Sequence, residues 1–590
     1  MSTPLAAYPR HLSRAAGAAG ARLIARLERW GMGEPAILIT LAAGVGILAG
    51  LSVLAFYRSI DVAAEVIAWI ADGLEIPTSI VAAASLAIGL IIVRLLVHYG
   101  TGDSEGENIP DAMHAVARRG GVLKLRPVAI KTLAAAVTLG SGGSLGAEGP
   151  VAVLGAAVGS RAGRWLRFRR ERLKLLLSCG AAAGLSAAFG APIAGVLFVL
   201  EKLVGSFRTS ALAPIVVASA AAAAVTRVGL GRDQVIRIPT EYHVGGAREL
   251  LLYSAVGLLG GAIGVLYARA AWKVPDWLRP LPQWLRILVA SVLVAVVSTQ
   301  FAPALWGHGH QGLDLALVTQ RTALVLFALC FAKITATAVT LGGGGVGGVF
   351  TPALVVGGTF GAAAGVALSH LVPGWNIQPV AFALVGMAAV VAAATHAPLT
   401  TVFMVLEMSG DYGLILPILL GGALAYVVAR SLYRESIYTE WLARRGEHIS
   451  HGTDESVLAT LTVADAYRAD ALVLPASATL GAVLADVRRS GQLEFPVVDE
   501  QNTVVGMLSW EDLKRALADG TRDALVSELA DPPREGVRLD DDLRTALRGL
   551  RERDAQLLPV LDPAAPHHLR GVIGRSEIFA AYERAVEEGE

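Results

Sequence analysis

Charged residues are scarce in this chain of 590 residues, and their scarcity limits the kinds of fold that it can adopt. Asp, Glu, Lys and Arg make up 17% of the sequence, and hydrophobic residues make up 54%. Soluble globular proteins carry about 25% charged residues. Apolar segments recur from about Ile37 to Val428, so this region is predicted to lie in a lipid bilayer rather than to fold around a soluble core.

A dominant sign of charge, paired cysteines and metal-binding clusters are also missing. The net charge is +1, which gives no overall field that favours nucleic acid. The two cysteines, Cys179 and Cys330, lie in apolar stretches and are interpreted as buried free thiols. His308 and His310 have no third ligand beside them, which favours a solvated loop over a metal site. No required cofactor, metal or nucleic-acid partner is therefore predicted.

Many of the apolar segments are short and contain glycine. Residues 80–93 and 381–394, for example, fall short of the roughly 20 residues that a complete membrane span needs. Interrupted segments of this kind are typical of broken or re-entrant helices, which line a cavity at membrane depth. The 65 glycines also favour close packing of helices in lipid.

Basic residues indicate which parts of the chain face the cytosol. Residues 1–33 carry five arginines and no uninterrupted apolar run, so they are interpreted as a cytosolic amphipathic helix and not as a signal peptide. Between Arg161 and Lys174, seven basic residues stand against one acid, which places this loop on the cytosolic side. The chain is predicted to be a multi-pass protein of a bacterial inner membrane with both termini in the cytosol.

The membrane part contains an internal repeat. Residues 131–150 align without gaps on residues 333–352 and are identical at 11 of 20 positions, and residues 191–201 resemble residues 397–407 at nearly the same offset. Each copy has a glycine-rich break followed by a helix that starts near a proline. Helix N-termini present free N–H groups and about half a positive charge, so two of them facing one pocket form an anion site. Duplication of a packing motif without a site is the alternative.

The composition changes after about Arg444. Residues 445–590 are rich in Asp, Glu and Arg, contain short β-type runs and are predicted to form a soluble α/β domain. This domain is itself duplicated, because residues 495–512 match residues 558–577 as a strand–turn–strand–helix unit. The pair resembles tandem CBS modules. The resemblance implies an adenine nucleotide bound at Ser509 and Asp512, with a purely structural dimerisation domain as the alternative.

Four motifs of the membrane part resemble those of the CLC family of chloride channels and chloride/proton exchangers. Gly146-Ala-Glu-Gly-Pro150 is similar to the element G(K/R)EGP, with alanine in place of the basic residue, and Gly348-Val-Phe-Thr-Pro352 is similar to GxFxP. Gly106-Glu-Asn-Ile-Pro110 stands where the family has GSGIP, and Ser436-Ile-Tyr438 matches the segment that supplies the pore tyrosine.

The resemblance implies a role for each matched residue. Glu148 would be the glutamate that gates the pore, and a carboxylate inside the bilayer is costly enough to indicate a function. Backbone N–H groups of Gly149, Val349 and Phe350 would bind the anion, and the hydroxyl of Tyr438 would donate to it in the pore centre. The alternatives that need no pore are a helix-capping acid at Glu148, core packing of Phe350 and an interfacial tyrosine.

The family's pore-serine position holds Glu107 in this chain. An ionised carboxylate within ~5 Å of a bound chloride would repel it by about 3 kcal/mol at an effective dielectric constant near 20. Glu107 is therefore expected to be protonated, turned away or paired, unless the local backbone differs. Asn108 or the hydroxyl of Ser104 would then supply the missing donor, and the selectivity among chloride, nitrate and fluoride stays open.

A lysine replaces a second functional acid on the cytosolic side. The family's exchangers place a proton-accepting glutamate where this chain has Lys202, next to Glu201, whose implied role is structural, as is that of Glu407. A lysine is protonated at neutral pH and cannot hand on protons unless burial makes it much less basic. The sequence therefore predicts a channel or weakly coupled transporter without standard proton coupling. The alternative is a chloride/proton antiporter in which Glu107 relays the proton and Lys202 is its counter-charge.

The resemblance, which extends from about Ala36 to Arg444, implies an all-α membrane protein with a CLC-type inverted repeat of broken helices, followed by a small soluble α/β CBS pair. The implied partners are chloride or a related anion, the lipid bilayer and a second copy of the chain in a homodimer. The expected domains are 1–33, 34–444 and 445–590, with repeats at about 80–230 and 285–435.

Three other classes of function fit the sequence less well. A membrane-embedded enzyme would need a set such as His-Glu-x-x-His, which the membrane part lacks. A CBS-bearing magnesium channel would need acids along its path, for which Glu148 and Glu107 are the only support. A nucleotide sensor with a passive membrane anchor would leave the repeat and its glycine breaks unexplained.

Overall fold

The computed structural model divides the chain into two compact units, Met1–Ile449 and Ser450–Glu590. The named secondary-structure elements of the first unit are all helices, joined by turns and loops, whereas the second unit combines helices with two small sheets. The structure describes residues 20, 22, 24–72, 78–101, 108–205, 209–231, 246–301, 321–375, 377–445, 458, 461–532, 536–553, 555–562 and 565–587.

The first unit is a bundle of long and short apolar helices. Among the described residues, eight helices are long and apolar enough to cross a membrane. Its helices are α1 (Glu34–Asp72), α2 (Thr78–Thr101), α3 (Ile109–Ala117), α4 (Leu125–Gly140), α5 (Glu148–Trp165), α6 (Arg170–Phe189), α7 (Pro192–Phe198), α8 (Thr209–Leu230), α9 (Ala247–Leu278), α10 (Gln283–Phe301), α11 (Ala323–Gly342), α12 (Phe350–Leu371), α13 (Pro379–Thr395), α14 (Pro398–Ser409), α15 (Ile415–Leu432) and α16 (Thr439–Ala443).

The same kind of helix packing occurs in both repeats. Helix α5 packs along α6, and α12 packs along α13, each pair making the most extensive contacts of its repeat. A Cβ atom on Gly155 or Gly180 would collide with the backbone of the facing helix, and so would one on Gly357 or Gly386. Small residues allow this close approach in lipid, where burial of apolar surface drives no association. Both pairs belong to the main hydrophobic core of the unit.

Two short helices begin in the same way in the two repeats. Helices α7 and α14 start at Pro192 and Pro398, because proline is preorganised for the first helical turn. The preceding helices end at left-handed residues, Gly190 with φ 62° and His396 with φ 55°. This conformation is natural for glycine and uncommon for other residues. Helix α7 continues directly into a π-helical turn, Val199–Val204.

Two glutamates each cap the short helix of the opposite repeat. Glu407, on α14, accepts hydrogen bonds of 3.0 and 2.8 Å from the first-turn N–H groups of Ile193 and Ala194 on α7. Glu201, in the π-helical turn after α7, accepts hydrogen bonds of 3.1 and 2.9 Å from the first-turn N–H groups of α14. The first N–H groups of a helix have no partner within the helix. Each carboxylate therefore stabilises a helix start and joins the two repeats.

The second unit consists of two similar modules. In each module a short strand pairs in parallel with a second strand, which pairs antiparallel with a third. Its elements are β1 (Leu474–Pro475), α17 (Leu480–Ser490), β2 (Glu494–Val498), β3 (Val504–Ser509), α18 (Trp510–Ala518), α19 (Val526–Leu529), β4 (Val537–Arg538), α20 (Leu543–Glu552), β5 (Leu557–Asp562), β6 (Ala565–Gly574) and α21 (Arg575–Glu587).

Hydrogen bonds connect the two modules. The carboxylate of Glu494, at the start of β2, accepts from the N–H groups of Gln556 (3.1 Å) and Leu557 (2.9 Å). The side chain of Asn502 donates to the carbonyl oxygen of Leu569 (3.0 Å). The fold class predicted from the sequence, an all-α membrane part followed by a small α/β part with a duplicated strand order, is confirmed.

Candidate functional site

The two glycine-rich turns of the repeat meet in the interior of the first unit. The N–H of Gly146 donates to the carbonyl oxygen of Gly348, and the N–H of Gly348 donates to the carbonyl oxygen of Gly146, both at 2.7 Å. These two residues are equivalent in the aligned repeats. The reciprocal pair brings the N-termini of α5 and α12 together, which is the arrangement on which an anion site between the repeats depends.

Threonine hydroxyls fix the two turns by a second reciprocal exchange. Thr138, near the end of α4, accepts from the N–H of Val346 at 3.2 Å. Thr340, near the end of α11, accepts from the N–H of Ser144 at 3.3 Å. The two threonines are equivalent in the repeats, as are Ser144 and Val346. The backbone N–H groups of these turn residues thereby find hydrogen-bond acceptors in the other repeat, where no water is available at membrane depth.

Glu148 is the first residue of α5, and its side chain crosses to the other repeat. The residue is 1% exposed. Its carboxylate accepts from the N–H of Phe350 at 2.6 Å and from the hydroxyl of Thr351 at 2.7 Å. These donors stand at the N-terminus of α12, where the helix dipole favours negative charge. The carboxylate therefore occupies a position that is suited to an anion.

Gly149 and Val349 complete the contact between the two helix starts. Gly149 is buried, and a Cβ atom on it would lie 3.1 Å from the Cα of Gly348, so glycine favours the close approach of the two backbones. Val349 precedes the first residue of α12 with φ −117° and ψ 0°. Its carbonyl oxygen accepts a hydrogen bond of 2.6 Å from the hydroxyl of Tyr267, a buried residue of α9.

Tyr438 lies in the same interior region. It is 4% exposed, and its ring contacts that of Phe198 edge-on, with 6.3 Å between centroids. It belongs to the same hydrophobic cluster as Phe350. The hydroxyl oxygen is buried and has no hydrogen-bond partner among the described residues. A donor of this kind can bind a dehydrated anion.

The segment that carries Tyr438 is held on both sides. The N–H of Ile437 donates to the carbonyl oxygen of Ala394 at the end of α13 (2.9 Å). The indole N–H of Trp272, on α9, donates to the carbonyl oxygen of Ile437 (3.1 Å). The guanidinium of Arg444 lies 4.8 Å from the centroid of the same indole and forms an ion pair of 2.8 Å with Asp276. Helix α9 thus contacts the site at Val349 and also fixes the tyrosine segment.

A phenol at the end of α15 adds a further anchor to this segment. The hydroxyl of Tyr433 donates to the carboxylate of Glu440 at 2.6 Å. Partial burial, together with the hydrogen bond and the charge of Glu440, raises the pKa of Tyr433 above its ordinary value. The phenol therefore stays protonated at neutral pH and keeps its donor.

Lys202 lies in the π-helical turn that follows α7. The residue is 7% exposed, and its Nζ donates to the carbonyl oxygen of His396 at 2.6 Å. The Nε2 atom of His396 is buried without a hydrogen-bond partner among the described residues. π-Helical turns are rare in proteins as a whole, and many of those that occur lie at functional sites. The Nζ of this buried lysine therefore acts as a hydrogen-bond donor to a backbone acceptor, a contact that both an ammonium and a neutral amine can make.

Several predicted residues are placed elsewhere or are not described. Asn108 is exposed, and its N–H donates to the carboxylate of Asp111 at 3.0 Å. Ser509 and Asp512, in the second unit, hydrogen bond to each other at the start of α18. Cys179 and Cys330 are buried free thiols. The predictions for residues 1–19, Ser104, Glu107, His308 and His310 lie outside the part of the chain that the structure describes.

Two residues of the site were not identified from the sequence. Thr351 belongs to the second glycine motif, and a hydroxyl directly after the first residue of a helix could have suggested it. Tyr267 stands in an apolar segment, where a tyrosine hydroxyl needs a partner. The identity of that partner could not be read from the sequence, because Val349 is 82 residues away.

The starts of two helices, one from each inverted repeat, meet around a buried carboxylate. This arrangement is typical of integral membrane proteins that transport small anions. The matches to known families agree with this class. Residues 88–430 match the family described as "Voltage gated chloride channel", and residues 463–519 match the CBS domain. This chain belongs to the voltage-gated chloride channel family, the CLC family, whose members transport chloride.

Similar proteins come from several organisms. A chloride channel protein described as ClcB-like, from Ralstonia nicotianae, is 36% identical over 60% of this chain and 84% of its own length. The H(+)/Cl(-) exchange transporter ClcA of Vibrio parahaemolyticus is 31% identical over 70% of this chain and 90% of its own length. The crystal structure of a slow cyanobacterial Cl-/H+ antiporter has a TM-score of 0.64 at 27% identity and covers 70% of this chain and 98% of its own.

A similarity at lower identity concerns the fold alone. The crystal structure of a eukaryotic CLC transporter covers 92% of this chain and 97% of its own, with a TM-score of 0.62 at 19% identity. The family matches and the relatives above 30% identity confirm the resemblance stated from the motifs of the sequence, together with the multi-pass membrane character and the CBS domain.

Proposed function

We propose that this chain carries chloride or a similar small anion across the membrane through a pathway that Glu148 opens and closes. The observation that carries this proposal is the contact of the Glu148 carboxylate with the N–H of Phe350 at the start of α12 (2.6 Å). A carboxylate and a halide are both anions that seek this donor. When one is bound, the other is excluded.

The protonation state of Glu148 determines whether the carboxyl group or the anion occupies the site at the start of α12. An ionised carboxylate is attracted by the helix start and by the hydroxyl of Thr351. A protonated carboxyl group has lost its charge and is displaced more easily by an anion. Flux is therefore expected to rise as the pH falls.

The anion ligands proposed are backbone N–H groups and one phenol. Gly149, Val349 and Phe350 lie at the junction of α5 and α12, and the buried hydroxyl of Tyr438 supports a donor role. Oriented dipoles of this kind replace part of an anion's hydration. Asn108 is an exposed residue, which supports a role for it only at the mouth of the pathway.

We propose that transport proceeds without standard proton coupling. The support is Lys202, whose Nζ donates to the carbonyl oxygen of His396. An ammonium, the ordinary form of lysine at neutral pH, already carries its proton and has no free lone pair to accept another. The alternative, a chloride/proton antiporter with an unusual proton path, is favoured by the similarity to an H(+)/Cl(-) exchange transporter and to a Cl-/H+ antiporter.

The remaining proposals concern organisation. We propose a transport domain over residues 34–444 and a regulatory CBS pair over 445–590, in a homodimer of a bacterial inner membrane. Basic residues between Arg161 and Lys174 support a cytosolic position for that loop. The hydrogen bond between Ser509 and Asp512 places both side chains at one helix start, which supports a shared role in binding an adenine nucleotide.

The test is a flux measurement in liposomes that contain the purified chain, with chloride efflux and internal pH followed together. Wild-type flux is expected to rise by up to about tenfold per pH unit while the carboxylate is mostly ionised. Glu148→Gln is expected to give a high flux that no longer depends on pH. Glu407→Gln is the matched control, because Glu407 also accepts from helix N–H groups but lies outside the proposed pathway.

Two results would contradict these proposals separately. If Glu148→Gln left both the flux and its pH dependence unchanged, Glu148 would not be the gate. If a chloride gradient drove protons uphill in a fixed ratio, the antiporter would replace the uncoupled mechanism, and Lys202→Met would then show whether the lysine takes part. A magnesium gradient measured in the same vesicles is expected to produce no flux.

A further inference from the structure

The peptide group between Val349 and Phe350 is bound on both of its sides. Its carbonyl oxygen accepts from the hydroxyl of Tyr267 at 2.6 Å, and its N–H donates to Glu148 at 2.6 Å. We propose that Tyr267 is a positioning residue that holds this peptide plane so that the N–H points at the anion site. The inference rests on the proposed function, because the site matters only if anions use it.

The covalent geometry makes one contact depend on the other. A peptide group is planar, so its C=O and N–H point in opposite directions and turn together. A hydrogen bond that fixes the carbonyl oxygen therefore fixes the direction of the N–H. A donor on the carbonyl oxygen also polarises the group and strengthens the N–H as a donor.

The helix itself holds this peptide weakly. The first intrahelical bond, from the N–H of Ala353 to the carbonyl oxygen of Val349, is long, with 3.4 Å between nitrogen and oxygen. The backbone of Val349 is not helical, with φ −117° and ψ 0°. The contact with Tyr267 is shorter by 0.8 Å, so the tyrosine is the closer of the two donors.

The surroundings of Tyr267 are suited to a fixed donor. The residue is 1% exposed and lies in α9, which spans 32 residues. The same helix fixes the Tyr438 segment through Trp272. The hydroxyl of Tyr267 therefore reaches the start of α12 from a buried position on a neighbouring helix. The same helix thus holds both the Val349–Phe350 peptide and the segment that carries Tyr438.

The test measures chloride binding to the full-length chain by isothermal titration calorimetry. Glu148→Ala serves as the background, because it leaves the N–H of Phe350 free for the added ion. Adding Tyr267→Phe, which removes only the hydroxyl, is expected to weaken chloride binding by about three- to tenfold. Adding Tyr253→Phe is the matched control, since Tyr253 is a fully buried tyrosine of the same helix that packs against Phe382, and it is expected to leave the affinity unchanged.

A loss of stability alone is distinguished by two further measurements. Thermal unfolding of both double variants reports any general damage, which would change the melting temperature without a specific change of affinity. Replacement of Tyr267 by a tyrosine with one ring fluorine keeps the shape and makes the hydroxyl a stronger donor. This substitution is expected to tighten chloride binding, the opposite sign from Tyr267→Phe.

The outcomes separate this inference from the proposed function. Equal chloride affinity in Glu148→Ala with and without Tyr267→Phe would overturn the positioning role of Tyr267. This holds even if Glu148→Gln gives the high, pH-independent flux that the proposed function expects. An absence of chloride binding in the Glu148→Ala background would overturn the proposed function and the positioning role with it. Opposite changes for the phenylalanine and the fluorotyrosine would support the positioning role.

Discussion

The contacts of a single carboxylate determine how the proposed gate works. Glu148 is bound by one backbone donor and one side-chain donor, Phe350 N–H and Thr351 Oγ1. The backbone donor is present whatever the side chains are. The hydroxyl of Thr351 can be removed by mutation, so it gives direct access to the strength with which the carboxylate is held.

The substitution Thr351→Val is expected to release the gate partially. Hydrogen bonds to a charged group contribute about 1.5–3 kcal/mol, and this bond stabilises the ionised carboxylate in the blocking position. Its removal favours both displacement and protonation. Chloride flux at neutral pH should increase, and the pH of half-maximal flux should move upward by about one to two units. Proteoliposome flux over a pH series measures both.

A second threonine of the same helix provides the control. Thr359 is also buried, and its hydroxyl donates to the carbonyl oxygen of Val355 in its own helix at 2.8 Å. Thr359→Val makes the same change of side chain as Thr351→Val, but the hydroxyl that it removes is not bound to Glu148. If both valine variants shifted the pH profile equally, the contact between Thr351 and Glu148 would have no part in gating.

Glycine contacts determine how closely the helices of each repeat approach. Gly155 on α5 faces Gly180 on α6, and Gly357 on α12 faces Gly386 on α13, in equivalent pairs. The N-termini of α5 and α12 carry the site residues, so the packing of these helices sets the position of the anion site. The short helices are held symmetrically as well, because Glu407 on α14 caps the start of α7 and Glu201, which follows α7, caps the start of α14.

The substitution Gly155→Ala is expected to destabilise the first unit. The added methyl group would collide with the carbonyl group of Gly180, and overpacking of a core costs about 1–3 kcal/mol. Gly44→Ala is the control, because Gly44 lies in α1, is exposed and has no neighbour within 4 Å of an added Cβ. Thermal unfolding in detergent should show a lower melting temperature for Gly155→Ala only. Equal melting temperatures would show that the helices can move apart freely.

The described residues that form the proposed anion site belong to the first compact unit. They include Glu148, Phe350, Tyr267 and Tyr438, and the segment around Tyr438 is held by Trp272 and other residues of the same unit. The second unit has its own hydrophobic clusters and its own sheets. Transport itself is therefore expected to need only the first unit, and the second unit is proposed to regulate it.

A chain that ends at Arg445 is expected to keep chloride flux and its increase at acidic pH. Arg444 is retained, so its ion pair with Asp276 is preserved. The measurement is proteoliposome flux of the truncated and full-length chains at pH 7 and pH 5, after gel filtration shows a monodisperse protein. A monodisperse truncated chain without flux would contradict this division of roles.

The sequence predicted the parts of the site that depend on local pattern. Gly146 and Gly348 were found because both repeats keep the same residues at the same spacing, and a glycine-rich break at membrane depth requires a partner for its backbone. Glu148 was found because a carboxylate in an apolar segment is costly. The structure adds that each glycine is the hydrogen-bond partner of the other.

The contacts of Tyr267, Thr351 and Lys202 could not be predicted in the same way. Each depends on which atoms lie near the side chain, and the partners are distant in the sequence: Val349 for the tyrosine and His396 for the lysine. A tyrosine in an apolar helix indicates only that its hydroxyl needs some acceptor.

The sequence by itself determined the membrane class, the family, the duplicated architecture and the acid at the centre of the proposed gate. Composition and spacing suffice for these because they reflect the cost of polar groups in lipid and the repetition of a motif. The tertiary structure decided which donors the carboxylate meets, which helix orients the Val349–Phe350 peptide and what the lysine binds. Hydrogen bonds depend on distances and angles between remote segments, and only the packed helices set those.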